Sequence, residues 1–491
     1  MRKNAVGHDW DPRLAVLLPW LLWGCGSAGG GEASGEAETG EVQAAFERIP
    51  AGVLCLRITA STTSAASVLD VAKNQSTASI AIGRLPSGTT TFDATAYGVA
   101  CASVTTSTSP DWIGVPVTVE ILPGVNPAVA LTLVPNVPTT VSVDFMTPAT
   151  ALAAGYYTSF ALGTTGLVRA WGYNEFGQLG DGTTANRSVP ITLSALGAVS
   201  TVSGGWGHSC AISRAGGLLC WGRNVQGQLG DGTTVSRAAP VQVIASGVTQ
   251  LDLGSSHSCV VKSDGGVWCT GTIYGDGDAA SFVQSFTKLF SGAEQVSAGS
   301  VFTCARSTKQ RVACWGQNQF GQMGTGSSSQ TPVVTPALIE GFNAVAEIGV
   351  GAYHACGRKY DGTVWCWGWN ALGQLGDGSL TDRNRPVQVT GIQSATQIAI
   401  SGFHSCALLQ DASVSCWGPN SLGMLGDGTG ADSKVPVAVR GLGDVAELAA
   451  GGEHTCARLK SGAVQCWGNN KFGQIGDGTA SDRFIPTNVV W

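Results

Sequence analysis

Cysteine and histidine hold most of the reactive chemistry available to this 491-residue chain, with 15 and 6 copies respectively. Twelve of the cysteines fall into six pairs with one spacing, ten residues: Cys210 with Cys220, Cys259 with Cys269, Cys304 with Cys314, Cys356 with Cys366, Cys406 with Cys416, and Cys456 with Cys466. Five histidines each stand two residues before the first cysteine of a pair: His208, His257, His354, His404 and His454. His and Cys on one strand face suggest zinc, but a structural zinc needs four convergent ligands. Each hairpin offers at most three, and Phe302 replaces the histidine in a copy that keeps Cys304 and Cys314. Disulfides fit better. A turn such as Ser213–Gly217 separates the two cysteines, so an antiparallel hairpin sets them opposite, with Cα atoms ~4.5 Å apart, close enough to bridge. The first copy has Phe160 and Ala170 at these places, so both cysteines are lost together. Cys55 with Cys101 and a lipid-bearing Cys25 account for the remaining three.

Catalysis finds no support in the same residues. An active site is a single asymmetric constellation, whereas these histidines recur at one position and are expected to make the same turn hydrogen bond in each of the five copies that carry one. No G-x-S-x-G elbow, P-loop or HExxH motif is present. Gly275-Asp276-Gly277-Asp278 is too short for an EF-hand loop and reads as a turn. The reading is therefore a non-enzyme with no catalytic residue, metal or cofactor. A formal charge of -6 with no basic block argues against nucleic acid, which demands clustered Lys and Arg.

The N-terminus points to export. Arg2, Lys3 and Arg13 precede a short apolar run, Leu14–Trp23, too short to span a bilayer, which takes ~20 residues. A basic start, short apolar core and small residues form a secretory signal over 1–24. Leu22-Trp23-Gly24-Cys25 resembles a bacterial lipobox, with Trp23 departing from the usual small residue. Cys25 is thus the expected lipidation site, and the membrane is met only through that anchor. Residues 25–41, dominated by Gly, Ala, Ser, Glu and Thr, read as a flexible tether. Abundant cysteine agrees with an oxidising compartment; the expected location is the cell envelope or beyond it.

Residues 42–147 carry short β-rich runs, 53–58, 115–119, 128–134 and 139–145, and predict a small β-sandwich-like domain. From 148 to 491 the chain repeats itself. Trp-Gly stands at 171, 221, 315, 367, 417 and 467, with Cys269-Thr270-Gly271 as a degenerate seventh copy. The steps are 50, 49, 45, 52, 50 and 50 residues. Before each copy comes a Gly-rich turn and a strand such as His208-Ser209-Cys210-Ala211. After most comes Asn-x-x-Gly-Gln-Leu-Gly-Asp-Gly-Thr, as at 174–183, and then a Pro-led β run such as Pro240–Val243. Four short strands per unit of this length make a propeller blade, and stacked blades bury the faces that one alone cannot. The fold class is all-β: a seven-bladed β-propeller preceded by the small sandwich. The repeated Trp is expected to pack between blades.

These motifs resemble those of the regulator of chromosome condensation repeat family, over residues 150–491. The resemblance implies a seven-bladed propeller that binds other proteins. Members of that family include a nuclear exchange factor for a Ran-type GTPase, a plant ultraviolet-B receptor and secreted bacterial β-lactamase inhibitors. The leading expectation is an exported interaction scaffold for an as yet unidentified protein partner. Guanine-nucleotide exchange is the alternative by analogy, but an exported, disulfide-linked chain does not meet a cytosolic GTPase. Inhibition of a secreted enzyme such as a β-lactamase is a special case of the scaffold. Ultraviolet sensing rests on fold analogy alone, since packing explains most of the Trp residues.

Two features break the repeat. The third copy is the shortest and lacks both Trp-Gly and Gly-Gln-Leu-Gly; it carries Phe282, Phe286 and Phe290, read as drift in a loop in preference to a reshaped contact. The turn before each His-x-Cys strand varies while its flanks stay fixed, holding Tyr156, Tyr157, Trp206, Tyr353, Phe403 and Glu453. Variation at one fixed place leaves a residue free for specific contacts. The five aromatics are the predicted partner-binding residues, on one ring at one end of the channel.

Overall fold

The computed structural model describes residues 148–274 and 281–490 throughout and, before them, strands between residues 39 and 135. The expected signal, Cys25, Cys101, the run 139–145 and Gly275–Asp278 lie outside the described residues. The chain divides into two units, Met1–Phe145 and Met146–Trp491.

Among the described residues the first unit contains two sheets. In one, Thr39–Phe46 pairs antiparallel with Ala78–Pro86 and parallel with the short Gly124–Val125 and Val129–Ala130. In the other the order is Leu133–Pro135, Trp112–Gly114, Gly88–Tyr97, Cys55–Ala60, Ala66–Asp70, with Val117–Ile121 also on Gly88–Tyr97. Two expectations are corrected. The first strand begins at Thr39, inside the segment read as tether. The run 128–134, read as one strand, is two pieces on different sheets, because the chain crosses between sheets within it. Cys55, Ile58, Ala60 and Ala94 are buried, and Cys55 is disulfide-bonded.

The second unit is seven four-stranded antiparallel sheets, each built from four consecutive strands. Blades 1 to 7 span 149–192, 199–244, 248–290, 293–338, 345–388, 395–438 and 445–488. Blade 1 shows the plan. An inner strand (Ala149–Ala154) is followed by a second (Thr158–Gly163), a third (Val168–Gly172) and an outer one (Arg187–Thr192). Every residue of that second strand is buried, because both of its faces meet other blades; the outer strand is half-exposed along its length. Antiparallel order places the turn 155–157 and the long loop 173–186 at one end of the ring, and the tight hairpin 164–167 at the other.

The core lies between blades. Phe160, Val168 and Leu179 of blade 1 cluster with Val199, Ala211 and Trp221 of or beside blade 2, and equivalent clusters fill the other junctions. The six repeated Trp residues are fully buried there. Five of them, all but Trp315, are held by the loop of the preceding blade: Trp221 Nε1 donates to Gln178 O at 2.8 Å and Trp367 Nε1 to Gln322 O at 2.9 Å. The loop glycine is needed for this approach. A Cβ on Gly180 would lie 2.7 Å from Trp221 Nε1, and its φ of +79° is in the left-handed region.

The ring closes without strand exchange. Blade 7 meets blade 1 by Trp171 Nε1 donating to Gln474 O at 2.9 Å, Gly452 N to Tyr156 O at 2.9 Å and Ala149 N to Gly462 O at 3.0 Å. The closing junction therefore uses the same kinds of contact as the blade 1–blade 2 junction.

Candidate partner-binding face

Each of the six i,i+10 cysteine pairs is joined across directly opposed residues of the second and third strands. The Cα–Cα distance is 4.1 Å for Cys210 and Cys220, 4.2 Å for Cys259 and Cys269, and 4.1 Å for Cys304 and Cys314. It is 4.0 Å for Cys356 and Cys366, 4.0 Å for Cys406 and Cys416, and 4.1 Å for Cys456 and Cys466. The second cysteine of every pair, Cys220, Cys269, Cys314, Cys366, Cys416 and Cys466, lies one residue before the Trp-Gly or Thr-Gly of its blade, and all six are fully buried. These cysteines therefore link strands within a blade and are closed to solvent. In blade 1, Phe160 faces Ala170 at the same register, and both are fully buried.

The histidines do something other than expected. His404 closes its own turn, with Nδ1 2.8 Å from Ser401 Oγ, but the contact that all five share is to the next blade. His208 Nε2 lies 2.9 Å from Ser258 Oγ, His257 2.9 Å from Thr303 Oγ1, His354 2.9 Å from Ser405 Oγ, His404 2.7 Å from Thr455 Oγ1 and His454 2.8 Å from Ser159 Oγ. Ser258 Oγ itself donates to Gln228 O at 2.6 Å, so the imidazole N–H donates to the hydroxyl. Blade 4 has Phe302 instead of a histidine, and blade 5 has Ala355 where the accepting hydroxyl would stand. At that junction donor and acceptor are lost together, whereas blade 1 has Thr158 at the histidine place and Ser209 of blade 2 keeps its hydroxyl on Gln178 O at 2.8 Å. All five imidazoles are buried, and burial pushes them down to about 3, or about 4 for His257. They are neutral at pH 7 and closed to a substrate.

Blade 3 is also corrected. Two of its phenylalanines, Phe286 and Phe290, pack at blade junctions. Thr270 stands where other blades carry Trp, and Phe286 of the outer strand fills the space: a Cβ on Gly230 would lie 2.5 Å from that ring. Phe290 stacks on Trp315 of blade 4, centroids 6.5 Å apart, where blade 3 lacks the usual loop. Phe282 alone of the three is exposed, at 64%.

The predicted aromatics all lie at the end of the ring that carries the long loops, and all are half-buried. The turn position is, however, two positions. Tyr156 and Trp206 follow the turn glycine directly and line the mouth of the central channel, with Ser255, Ser300, Ala352, Gly402 and Gly452 at the same place in other blades. Tyr157, Tyr353, Phe403 and Glu453 stand one residue later, farther out. Tyr156 leans across the closing junction: its ring lies 6.2 Å from Phe403, and a Cβ on Gly452 would collide with it. Burial, with Tyr157 and Glu453 nearby, pushes its phenol far above the ordinary range.

Sequence reasoning missed a further set of rings. Tyr173 and Trp369 follow Trp-Gly, and Phe176, Phe320 and Phe472 precede Gly-Gln in the long loops. Phe472 lies 5.2 Å from Tyr157 and 4.6 Å from Tyr173; Phe176 lies 5.5 Å from Trp206, over which Arg223 sits at 5.1 Å. Phe320, Tyr353 and Trp369 form a second group, with centroids 5.6 to 6.1 Å apart. The signal was legible: these places also vary between blades beside fixed neighbours. The loops that carry them are stiff. Asn174 Oδ1 accepts from Leu179 N at 2.8 Å, and Asn174 Nδ2 donates to Asp181 Oδ1 at 3.2 Å. Partial burial raises the Asp181 carboxyl, but hydrogen bonds from Arg187, Thr183 and Asn174 outweigh it, leaving it below the usual range. Rings held on braced loops lose little freedom on binding.

The comparisons agree with this architecture. Models described as the regulator of chromosome condensation (RCC1) repeat match residues that together cover 149–261 and 293–474. The Ultraviolet-B receptor UVR8 of Arabidopsis thaliana is 31% identical over 237 residues, which are 47% of this chain and 44% of the receptor. The human E3 ubiquitin-protein ligase HERC2 is 30% identical over 141 residues, 26% of this chain and 3% of the ligase. The chain thus spans less than half the length of these curated relatives. The crystal structure of Prp20p from Saccharomyces cerevisiae, described with its binding to Gsp1p and histones, superposes with a TM-score of 0.61 at 22% identity, covering 67% of this chain and 87% of that one. Human WBSCR16 superposes with a TM-score of 0.58 at 24% identity, covering 64% and 87%. With the repeat matched over more than half its length and seven blades in the structure, this chain belongs to the regulator of chromosome condensation repeat family.

Proposed function

We propose that this protein is an exported, non-enzymatic scaffold that holds a protein partner on the aromatic end of its propeller, and that Cys25 carries a lipid anchoring it to the envelope. The observation that carries the reading is the half-buried aromatic layer around the channel mouth. Two groups of rings, with Arg223, Lys471 and Glu453 among them, make a rigid surface of the composition that dominates protein-binding energetics. The similarity to a propeller whose description names Gsp1p and histones as its ligands supports protein binding as the use of this fold; it does not transfer those ligands. Disulfides in six of seven blades support export.

The test uses the exported protein as bait for envelope extracts, followed by affinity measurement with the purified captured protein. Trp206→Ala, Tyr353→Ala and Phe403→Ala together are expected to weaken that affinity by roughly tenfold or more, with the melting transition retained. A folded triple variant with wild-type affinity moves the contact surface elsewhere. If the triple variant does not fold, Tyr353→Ala alone, whose ring packs only at the surface layer, decides the point. Incorporation of labelled palmitate into wild type, and its loss in Cys25→Ala, tests the anchor; equal labelling of both discards it.

A further inference from the structure

The central channel departs from sevenfold repetition at one side chain. Strand pairing sets Ala153, Ser203, Asp252, Ser297, Gly349, Ala399 and Ala449 at one register, each opposite the first cysteine of its blade or, in blade 1, Phe160. Six are small and neutral; Asp252 alone is charged. It lines a cavity of about 120 Å³ at the channel mouth, walled mainly by glycine, alanine and serine. The cavity wall contains no Lys, Arg or His.

The carboxylate is held in place but not neutralised. Ser297 Oγ donates to Asp252 Oδ2 at 2.9 Å, Ala298 N at 3.0 Å, and Leu253 N donates to Oδ1 at 3.0 Å. Ser203 Oγ stands 3.5 Å away on the other side. Among the described residues no ion pair includes Asp252. By contrast, Glu347 and Glu447, also on inner strands, pair with Arg358 and Arg458 at 2.9 Å. Burial raises the Asp252 carboxyl above its usual range in spite of its four hydrogen-bond donors. A charge buried without a partner is costly, and an incoming cation relieves that cost. Tyr156 and Trp206 belong to the wall of the same cavity, and aromatic side chains attract cations too.

We propose that the channel mouth recognises a primary ammonium group, with Asp252 as counter-ion and the Tyr156 and Trp206 rings as its flanks, and that a lysine side chain of the rim-bound protein supplies it. The shape favours this donor. The cavity is narrow, entered from the aromatic end, and has room for an ammonium group and the methylenes behind it, whereas a planar guanidinium seeks a carboxylate with both oxygens free. Here Oδ2 already accepts two hydrogen bonds. The inference that the amine comes from a protein rests on the reading of the rim as the partner face; the ammonium site itself does not.

The experiment is calorimetric titration of the full-length exported protein with n-butylammonium, with 1-butanol as the neutral counterpart, and with a blocked glycine-lysine-glycine peptide. Saturable binding of butylammonium and of the peptide, at least tenfold tighter than butanol, is expected. Asp252→Asn is expected to lose that preference. Asp252→Ser, which installs the residue of blades 2 and 4 at this register, keeps the test valid if the Asn variant is poorly folded. Butylammonium binding no tighter than butanol, or an unchanged preference in a folded Asp252 variant, overturns the site. Binding of butylammonium without the peptide overturns the lysine assignment alone. The rim reading fails separately, when Trp206→Ala, Tyr353→Ala and Phe403→Ala leave partner affinity intact while the ammonium result stands.

Discussion

Blades 1 and 3 depart from the repeat in opposite directions. Blade 1 lacks the cysteine pair and keeps Trp171 and the long loop. Blade 3 keeps Cys259 and Cys269 and lacks both the Trp and the loop. The repairs differ accordingly. In blade 1 the missing covalent bond is replaced at its own site by Phe160 packed over Ala170. In blade 3 the missing ring is replaced from elsewhere in the blade: Phe286 takes the place of the Trp and Phe290 covers Trp315. A bond within a blade ties strands that are already hydrogen-bonded, so its loss is local. A ring between blades fills volume that two sheets share, and an empty space there forfeits contacts on both sides. Junction packing, more than the disulfides, decides whether the ring closes.

Both blades take part in histidine bonds, blade 1 through Ser159 and blade 3 through Ser258 and His257, and acid is expected to have the largest effect because it acts on five junctions at once. The folded imidazoles titrate near 3 to 4, below the unfolded value of 6.5. Between those limits the unfolded chain binds more protons, so stability is fully present above pH 6.5 and is lost as pH falls. Each histidine contributes up to about 1.4 kcal/mol per pH unit in that window. Asp252 and Glu347, whose carboxyls are raised, act in the opposite sense over the window between their unfolded and folded values, and two groups do not cancel five. Urea midpoints at pH 7 and pH 4.5 check this. Equal midpoints would show that the imidazoles are not held neutral.

The next effect separates the two blades. Phe286→Ala empties a blade 2–blade 3 junction and is expected to cost about 3–5 kcal/mol, in the same range as Trp171→Ala at the closing junction. Thr270→Trp added to Phe286→Ala is expected to recover part of the loss, since Trp is what the other blades place there. A Phe286→Ala variant within about 0.5 kcal/mol of wild type would return these phenylalanines to surface drift. Removing the blade 3 bond with Cys259→Ala and Cys269→Ala is expected to cost less, about 2–3 kcal/mol by loop-closure entropy. Denaturant titration of each variant orders the three values.

Much of this is legible in the sequence because repetition supplies an internal comparison. Trp-Gly spacing sets the blade count, and the joint absence of cysteines at 160 and 170 marks them as partners. The histidine partners are not legible in the same way, since a bond from His208 to Ser258 crosses between repeats and spacing within a repeat says nothing about it. The joint change at Phe302 and Ala355 is a signal for it, visible only when one repeat is read against the next. Tyr173, Phe176, Phe320, Trp369 and Phe472 also vary at fixed places, but they sit in the long loops, away from the turn before His-x-Cys where the variation is plainer. Phe286 reads as drift because its role depends on a vacancy at Thr270 in a different strand. Asp252 is invisible for the opposite reason: an acidic residue in a β run signals nothing until pairing shows that it alone is charged in its ring.

The smallest expected effect is the most direct test of the contrast between blades. Phe160→Cys with Ala170→Cys places a pair at the register that the other six blades use, since Phe160 and Ala170 are directly opposed. Closing the ten-residue loop contributes about 2–3 kcal/mol by constraining the unfolded chain. Losing the Phe160 ring from the blade 1–blade 2 cluster removes a comparable amount, about 3 kcal/mol or more for a buried phenylalanine. The oxidised variant is therefore expected to lie within about 1 kcal/mol of wild type, while the same variant under reductant falls well below wild type under the same conditions. Denaturant midpoints in both redox states read the two contributions separately. A clear net gain on oxidation would mean that Phe160 packs weakly and that the disulfides dominate the stability of each blade. A net loss as large in the oxidised as in the reduced state would mean that the bond adds nothing once the strands are paired.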